Sequence, residues 1–224
     1  MPKIAKYAFS LVFVAAFFLF SLSASLAVVI NCRAFYGYGF REFGVSQDTG
    51  ISPDQLNLAA RGLISYFNSS QEYISVTVIK DGAPFTLFNQ REVLHLKDVK
   101  GLIRLDYTIL IFSSLMVGGA AVLLVIRRDY RFLARPLLWG GALTLAVIFF
   151  ITILAVTNFN TLFIDFHLIS FSNDFWQLDP ATDYLIRLFP EQFFEQAAAL
   201  VGAGTGIFAA AGVLGGWRLL KKNP

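Results

Sequence analysis

Four long stretches of the chain carry no ionisable side chain: Ala8 to Ile30, Thr108 to Ile126, Leu137 to Thr157 and Ala197 to Trp217. A helix needs about 20 apolar residues to cross the hydrocarbon core of a bilayer, so the pattern predicts transmembrane helices at 8–30, 108–126, 137–157 and 197–217. The segment between the first two is patterned differently. Ser52-Pro53-Asp54-Gln55 reads as a capping box with proline at the first helical position. Leu56, Ala59, Leu63 and Phe67 follow at helical spacing, which predicts a short amphipathic helix. Ile74, Val76 and Val78 then alternate with Ser75, Thr77 and Ile79. Asp81-Gly82 marks a turn before Phe85-Thr86-Leu87-Phe88, so a hairpin is expected. Asn89 with Glu92 three positions on opens a further helix through Arg91, His95, Asp98 and Lys100, which can run on into the second span. The fold class is thus an α-helical integral membrane protein: four transmembrane helices and a small α+β extracytoplasmic cap.

Charge sets the expected sidedness. Lys3 and Lys6 precede the first span, Arg127, Arg128, Arg131 and Arg135 fill the 127–136 connection, and Arg218, Lys221 and Lys222 follow the fourth. The positive-inside rule puts all three groups in the cytoplasm. Segments 31–107 and 158–196 then face outward, and the second holds six acidic residues against the single Arg187. Both termini are expected on the cytoplasmic side of the membrane. Lys3 and Lys6 followed by an apolar run and Ser23-Ala-Ser-Leu-Ala27 also fit a cleavable signal peptide. The run is longer than an ordinary signal core, so a retained anchor is expected. Gly202 and Gly206, then Gly212 and Gly216, have the spacing that lets helix backbones approach closely; intramolecular packing is the first reading and homodimerisation the second.

Composition narrows the functional classes. Hydrophobic residues make up 56% of the 224, with 24 Phe and only 15% charged, well above the apolar share of a soluble domain. The net charge of +3 comes without a basic stripe interleaved with aromatics, so nucleic acid is not an expected partner. The single cysteine, Cys32, cannot form an intrachain disulfide, and no compact metal-ligand motif is present. Neither a metal nor a cofactor is expected. The spans lack the intramembrane charges and internal prolines of ion-coupled transporters.

Segment 158–196 is dense in aromatics, from Phe159, Phe163, Phe166 and Phe171 through Trp176 to Phe193 and Phe194. An interfacial aromatic belt accounts for most of them. His167, Asn173, Asp174 and Asp179 are polar residues within that apolar run. The chain has two histidines, and the topology puts both outside: His95 just before the second span and His167 just after the third. The short connection makes those spans antiparallel neighbours, which would bring the imidazoles together. Such a pair can act as general base and acid near neutral pH. Two alternatives stay open from the residues themselves, a serine nucleophile at Ser170 or Ser172 and a metal held by His95, His167 and Asp174. No nucleophile elbow or zinc motif supports either.

The stretches Arg91 to Lys100 (REVLHLKDVK), Phe166 to Trp176 (FHLISFSNDFW) and Asp183 to Glu191 (DYLIRLFPE) resemble the bacterial lipoprotein intramolecular transacylases, over essentially the whole chain. The resemblance implies two catalytic histidines, mapping onto His95 and His167. It also implies the reaction: the sn-2 acyl chain of a diacylglyceryl-modified lipoprotein moves to the amine of its own N-terminal cysteine, giving the lyso-form. Substrate lipoprotein and membrane lipid are the expected partners. His95 is expected to be the base, with Asp98 one helical turn away holding its tautomer. Lys97, Asp98, Asn173, Asp174 and Trp176 are expected to bind substrate or support the site. The rival readings are a non-catalytic membrane-surface module that binds lipid or lipoprotein, and an acyltransferase acting between other lipids.

Overall fold

The computed structural model describes residues 3–127 and 130–222, excluding the side chains of Leu124, Val125, Arg131 and Lys222. Arg128, and the side chains of Arg131 and Lys222, which entered the charge argument, therefore lie outside the described residues. Two compact units emerge, 1–27 with 105–157 and 199–224, and 28–104 with 158–198.

The first unit holds the membrane-crossing parts of four helices: α1 (Lys3–Asn31), α5 (Gln90–Arg127), α6 (Tyr130–Thr157) and α9 (Glu191–Lys222). Each is long and apolar enough to cross a bilayer, and each extends beyond the charge-free stretch that marked it. The expected 127–136 loop is mostly helix, since α6 begins at Tyr130 and takes Pro136 inside it, a position that membrane helices tolerate. Phe13, Phe17 and Ala120 form the buried centre, with Phe9, Val117, Leu133 and Leu137 packed on them. Small residues bring backbones together around it. A Cβ on Gly141 would lie 2.5 Å from the Ala209 carbonyl oxygen, one on Gly212 2.6 Å from the Phe17 ring, and one on Gly216 2.6 Å from the Ala134 carbonyl. The second glycine pair of the fourth span thus packs within the chain. Among the described residues, a Cβ on Gly206 would meet nothing within 4 Å and one on Gly202 only Ile148, at 3.9 Å. Buried Ser21, Ser25, Thr144 and Thr205 donate to the carbonyl four residues back, which satisfies their hydroxyls without water.

The second unit is α+β. After α2 (Arg33–Glu42) and α3 (Val45–Thr49) comes α4 (Pro53–Phe67), whose Leu56, Ala59, Leu63 and Phe67 are all buried as their spacing predicts. Ser52 is its N-cap residue with Pro53 following, but the serine hydroxyl makes no cap bond. The expected capping box fails because Gln55, its other half, accepts the Ile79 N–H of the neighbouring strand instead. Strands β1 (Thr77–Lys80) and β2 (Ala83–Thr86) form the antiparallel hairpin. Its turn residues Asp81 and Gly82 both have positive φ, 51° and 78°, as a two-residue turn of this kind requires. Ile74 and Val76 are buried ahead of the strand rather than in it. Segment 158–198 adds α7 (Phe159–Ser170), α8 (Tyr184–Leu188) and the start of α9. An aromatic cluster of Phe35, Tyr36, Phe40, Phe189 and Phe193 ties α2 to this segment.

Candidate active site

The site lies wholly in the second unit, between the first turns of α5 and the α7 region. The entry to α5 is a reciprocal capping box. The Glu92 carboxylate accepts the Asn89 N–H at 2.7 Å, and the Asn89 side chain accepts the Glu92 N–H at 3.1 Å, which satisfies two of the donors a helix start leaves unpaired. Glu92 is fully buried, and its second oxygen accepts the Leu185 N–H of α8. Burial pushes its carboxyl above the usual carboxylate range, against the hydrogen bonds it receives. Asn89 also donates to Asp183 at 2.7 Å. The start of α5 is thereby fixed to the α8 segment, and His95 stands within its second turn.

On the other side, α7 is capped by Asn158, which accepts the Thr161 N–H. Its N-terminal end is tied to α9 by an Asn160 to Glu191 hydrogen bond and by Phe163 against Phe194. His167 occupies the last turn. The imidazoles of His95 and His167 have centroids 6.0 Å apart and are 6% and 7% exposed. Phe171 lies edge-on to His95 at 5.2 Å. Phe163, Phe166 and Trp176 surround His167 at 4.4, 5.4 and 4.9 Å.

The two imidazoles are held differently. His167 Nδ1 is 2.6 Å from the Phe163 carbonyl oxygen. A carbonyl only accepts, so Nδ1 carries the proton and the lone pair is at Nε2. Among the described residues, His95 Nδ1 is buried with no hydrogen-bond partner, so none of them fixes its tautomer at that atom. Desolvation pulls His95 down to about 4, helped by neighbouring His167 and opposed by Asp98. Burial also lowers His167, partly offset by its bond to the Phe163 carbonyl. Both rings are therefore neutral near pH 7.

The other expected site residues divide. Trp176 lies tilted against His167, with 31° between the ring planes. Asp98 is near enough to influence His95 electrostatically, yet the expected tautomer-fixing bond is replaced, since its carboxylate accepts from Asn173 at 2.8 Å. Lys97 turns away, to Glu72 at 2.6 Å and the Tyr73 ring. Asp174 is an exposed residue whose carbonyl and carboxylate both engage Arg91, so it is not joined to the histidines as a metal ligand would be. Neither Ser170 nor Ser172 is hydrogen-bonded to an imidazole among the described residues. Glu92 as a buried brace and the Phe163 carbonyl as the tautomer-setter were not anticipated. The capping signature pointed to Glu92, and a helical histidine four residues after any residue can meet its carbonyl.

A family model described as lipoprotein intramolecular transacylase Lit matches residues 11–194. A protein of uncharacterised function from Aquifex aeolicus (strain VF5) is 26% identical over 157 residues, 69% of this chain and 68% of that one. The in meso structure of the membrane integral lipoprotein intramolecular transacylase Lit from Bacillus cereus superposes with a TM-score of 0.83 at 20% identity, covering 99% of this chain and 98% of that one. A form of the same protein with one histidine replaced by alanine gives 0.76, with 97% and 94% covered. The match over most of its length establishes that the chain belongs to the lipoprotein intramolecular transacylase family.

Proposed function

We propose that the protein transfers the sn-2 acyl chain of a diacylglyceryl-modified lipoprotein to the α-amine of the same molecule's N-terminal cysteine, with His95 and His167 as the catalytic residues. The observation that carries the roles is the asymmetry between two buried imidazoles 6.0 Å apart. His167, with Nδ1–H committed to the Phe163 carbonyl, offers Nε2 as general base to the cysteine amine. The amine nitrogen attacks the ester carbonyl, the N–C bond forms, and one amine proton passes to His167. Collapse of the tetrahedral intermediate breaks the bond to the glyceryl oxygen, and that oxygen takes the proton from His167. His95 stays neutral because burial holds it at about 4. It serves as an N–H donor to the developing oxyanion rather than as a proton reservoir. This reverses the base assignment expected from spacing, since Asp98 is engaged by Asn173. The substrate brings both amine and ester, so no enzyme nucleophile is needed, and holding the two together supplies much of the rate.

The same reading gives the protein's placement. Both termini are cytoplasmic and the histidines face the outer side, supported by the basic residues flanking the first and fourth spans. The first span is retained. Phe17 lies against Gly140 and Gly212, so cleavage after Ala27 would remove the side chain those glycines accommodate. The test is mass spectrometry of the N-terminal peptide of a resident lipoprotein in a host lacking such an enzyme. Wild type is expected to move one acyl chain from glycerol to the cysteine amine, and membrane-inserted His95→Ala and His167→Ala to lose that shift. A lipoprotein left diacylated with a free amine by folded wild type overturns the reaction.

A further inference from the structure

We infer that Asn173 is a positioning residue, which acts on the base His167 by latching the 171–177 loop to α5 and so holding Trp176 against the imidazole. The inference rests on His167 being the base. Asn173 makes two bonds of opposite sense. Its Nδ2 donates to the Asp98 carboxylate at 2.8 Å, and its Oδ1 accepts the Phe175 N–H at 3.1 Å. The first bond joins residues 75 apart in sequence, and the second fixes the backbone next to Trp176. Trp176 then covers one face of His167 at 4.9 Å and 31°, while Phe163 meets the ring from within α7 at 4.4 Å and 60°. The Phe163 carbonyl sets which nitrogen is basic; the tryptophan sets the plane of the ring and keeps water off it.

The arrangement also explains why Asp98 does not touch His95. A carboxylate accepts, and an amide is the residue type that can satisfy it while still accepting a backbone N–H with its other end. Neither Ala nor Asp at position 173 can do both. His95 of α5 faces His167, Asp98 one turn further along α5 is held by Asn173, and Asp174 in the loop is paired to Arg91. Asp98 is in direct contact with the latch. Loss of the latch loosens Trp176 and lets water reach the imidazole. Because burial is what lowers His167, hydration moves its titration up toward the ordinary histidine range.

The test uses full-length protein in lipid nanodiscs with Trp139→Phe and Trp217→Phe, leaving Trp176 as the only fluorophore of its kind. Protonation of an imidazole in contact with the indole quenches its emission, so the midpoint of quenching against pH reports His167 without requiring activity. Asn173→Ala and Asn173→Asp are expected to raise that midpoint. They should also lower kcat by roughly ten- to a hundredfold, the range for a small misplacement of a reacting group, with KM little changed. The double exchange Asp98→Asn with Asn173→Asp restores an amide-to-carboxylate bond in reverse and still accepts the Phe175 N–H. It is expected to return both midpoint and kcat toward wild type. An unchanged midpoint in folded Asn173→Ala, or a double exchange no better than Asn173→Asp alone, overturns the latch. If no variant, wild type included, transfers acyl groups while the midpoints shift as described, the latch stands and the assigned reaction is what fails.

Discussion

Neutral His95 is the feature on which the assigned roles turn, and its consequence can be measured. Burial and the neighbouring His167 bring it from 6.5 to about 4, corresponding to roughly 3 kcal/mol in favour of the uncharged ring. An unfolded chain takes up that proton near 6.5, the folded one only near 4. Between these values the unfolded state binds more protons, so stability falls as pH falls through the window and is fully present above 6.5. The chain has two histidines, so selective labelling with 13C-histidine gives two NMR resonances, assigned by His95→Gln and His167→Gln. The His95 resonance is expected to titrate at about 4 and the His167 resonance below 6.5. His95→Gln should remove roughly 3 kcal/mol of the stability lost on acidification from pH 7 to 4, read from denaturation at each pH in one detergent. A His95 midpoint at or above 6.5 would overturn the assigned roles, because an imidazole charged near neutral pH is an acid in reserve and not a neutral donor.

Three further outcomes follow from the packing. Glu92→Ala strands the Asn89 and Leu185 N–H groups at about 1–3 kcal/mol each, so a large drop in melting temperature is expected; little change would mean that water reaches the α5 to α8 junction. Gly141→Ala pushes a methyl into the Ala209 carbonyl and Val213 backbone and should cost about 1–3 kcal/mol. Gly118→Ala, where no described residue lies within 4 Å of the added Cβ, should gain up to about 1 kcal/mol, and both are read as thermal unfolding in the same detergent. Lys97→Ala and Asp174→Ala should leave melting temperature and kcat nearly unchanged, since solvent screens exposed ion pairs and leaves them little net stabilisation. A severe loss of kcat in either would put that residue on the substrate.

Legibility from the sequence followed the range of the interaction concerned. The four membrane helices could be read because hydrophobic length is a local property, and the α4 face and the Asp81-Gly82 turn because period and φ preference are local too. The Asn89 to Glu92 box was legible for the same reason, its partners being three residues apart. The Ser52 box had an equally good local signature and failed, because Gln55 found the Ile79 N–H 24 residues on. Helices α2 and α3 went unread. Their stretch carries Gly37, Gly39 and Gly44, which weaken the helical signal. What stabilises α2 is the packing of Phe35, Tyr36 and Phe40 on Phe189 and Phe193, far along the chain.

The same distinction explains why the histidines could be found but not assigned. Being the only two imidazoles, in segments that the charge pattern predicts to share one side, they were candidates before any fold was known. The choice of base depended on which acceptor each Nδ1 meets. Spacing offered Asp98 to His95, one turn away on the same helix, and that proximity is present. A carboxylate is claimed by the best donor within reach, however, and the chain brings the Asn173 amide to it from 75 residues away. His167 needed no carboxylate, because a backbone carbonyl one turn earlier in its own helix suffices. The lowering of both pKa values depends on Phe171 and Trp176 covering the rings, a property of the closed loop that no spacing encodes. A helical histidine with no committed side-chain partner is therefore better assigned by asking first whether its own i−4 carbonyl is reachable, and only then whether a nearby carboxylate is still unclaimed.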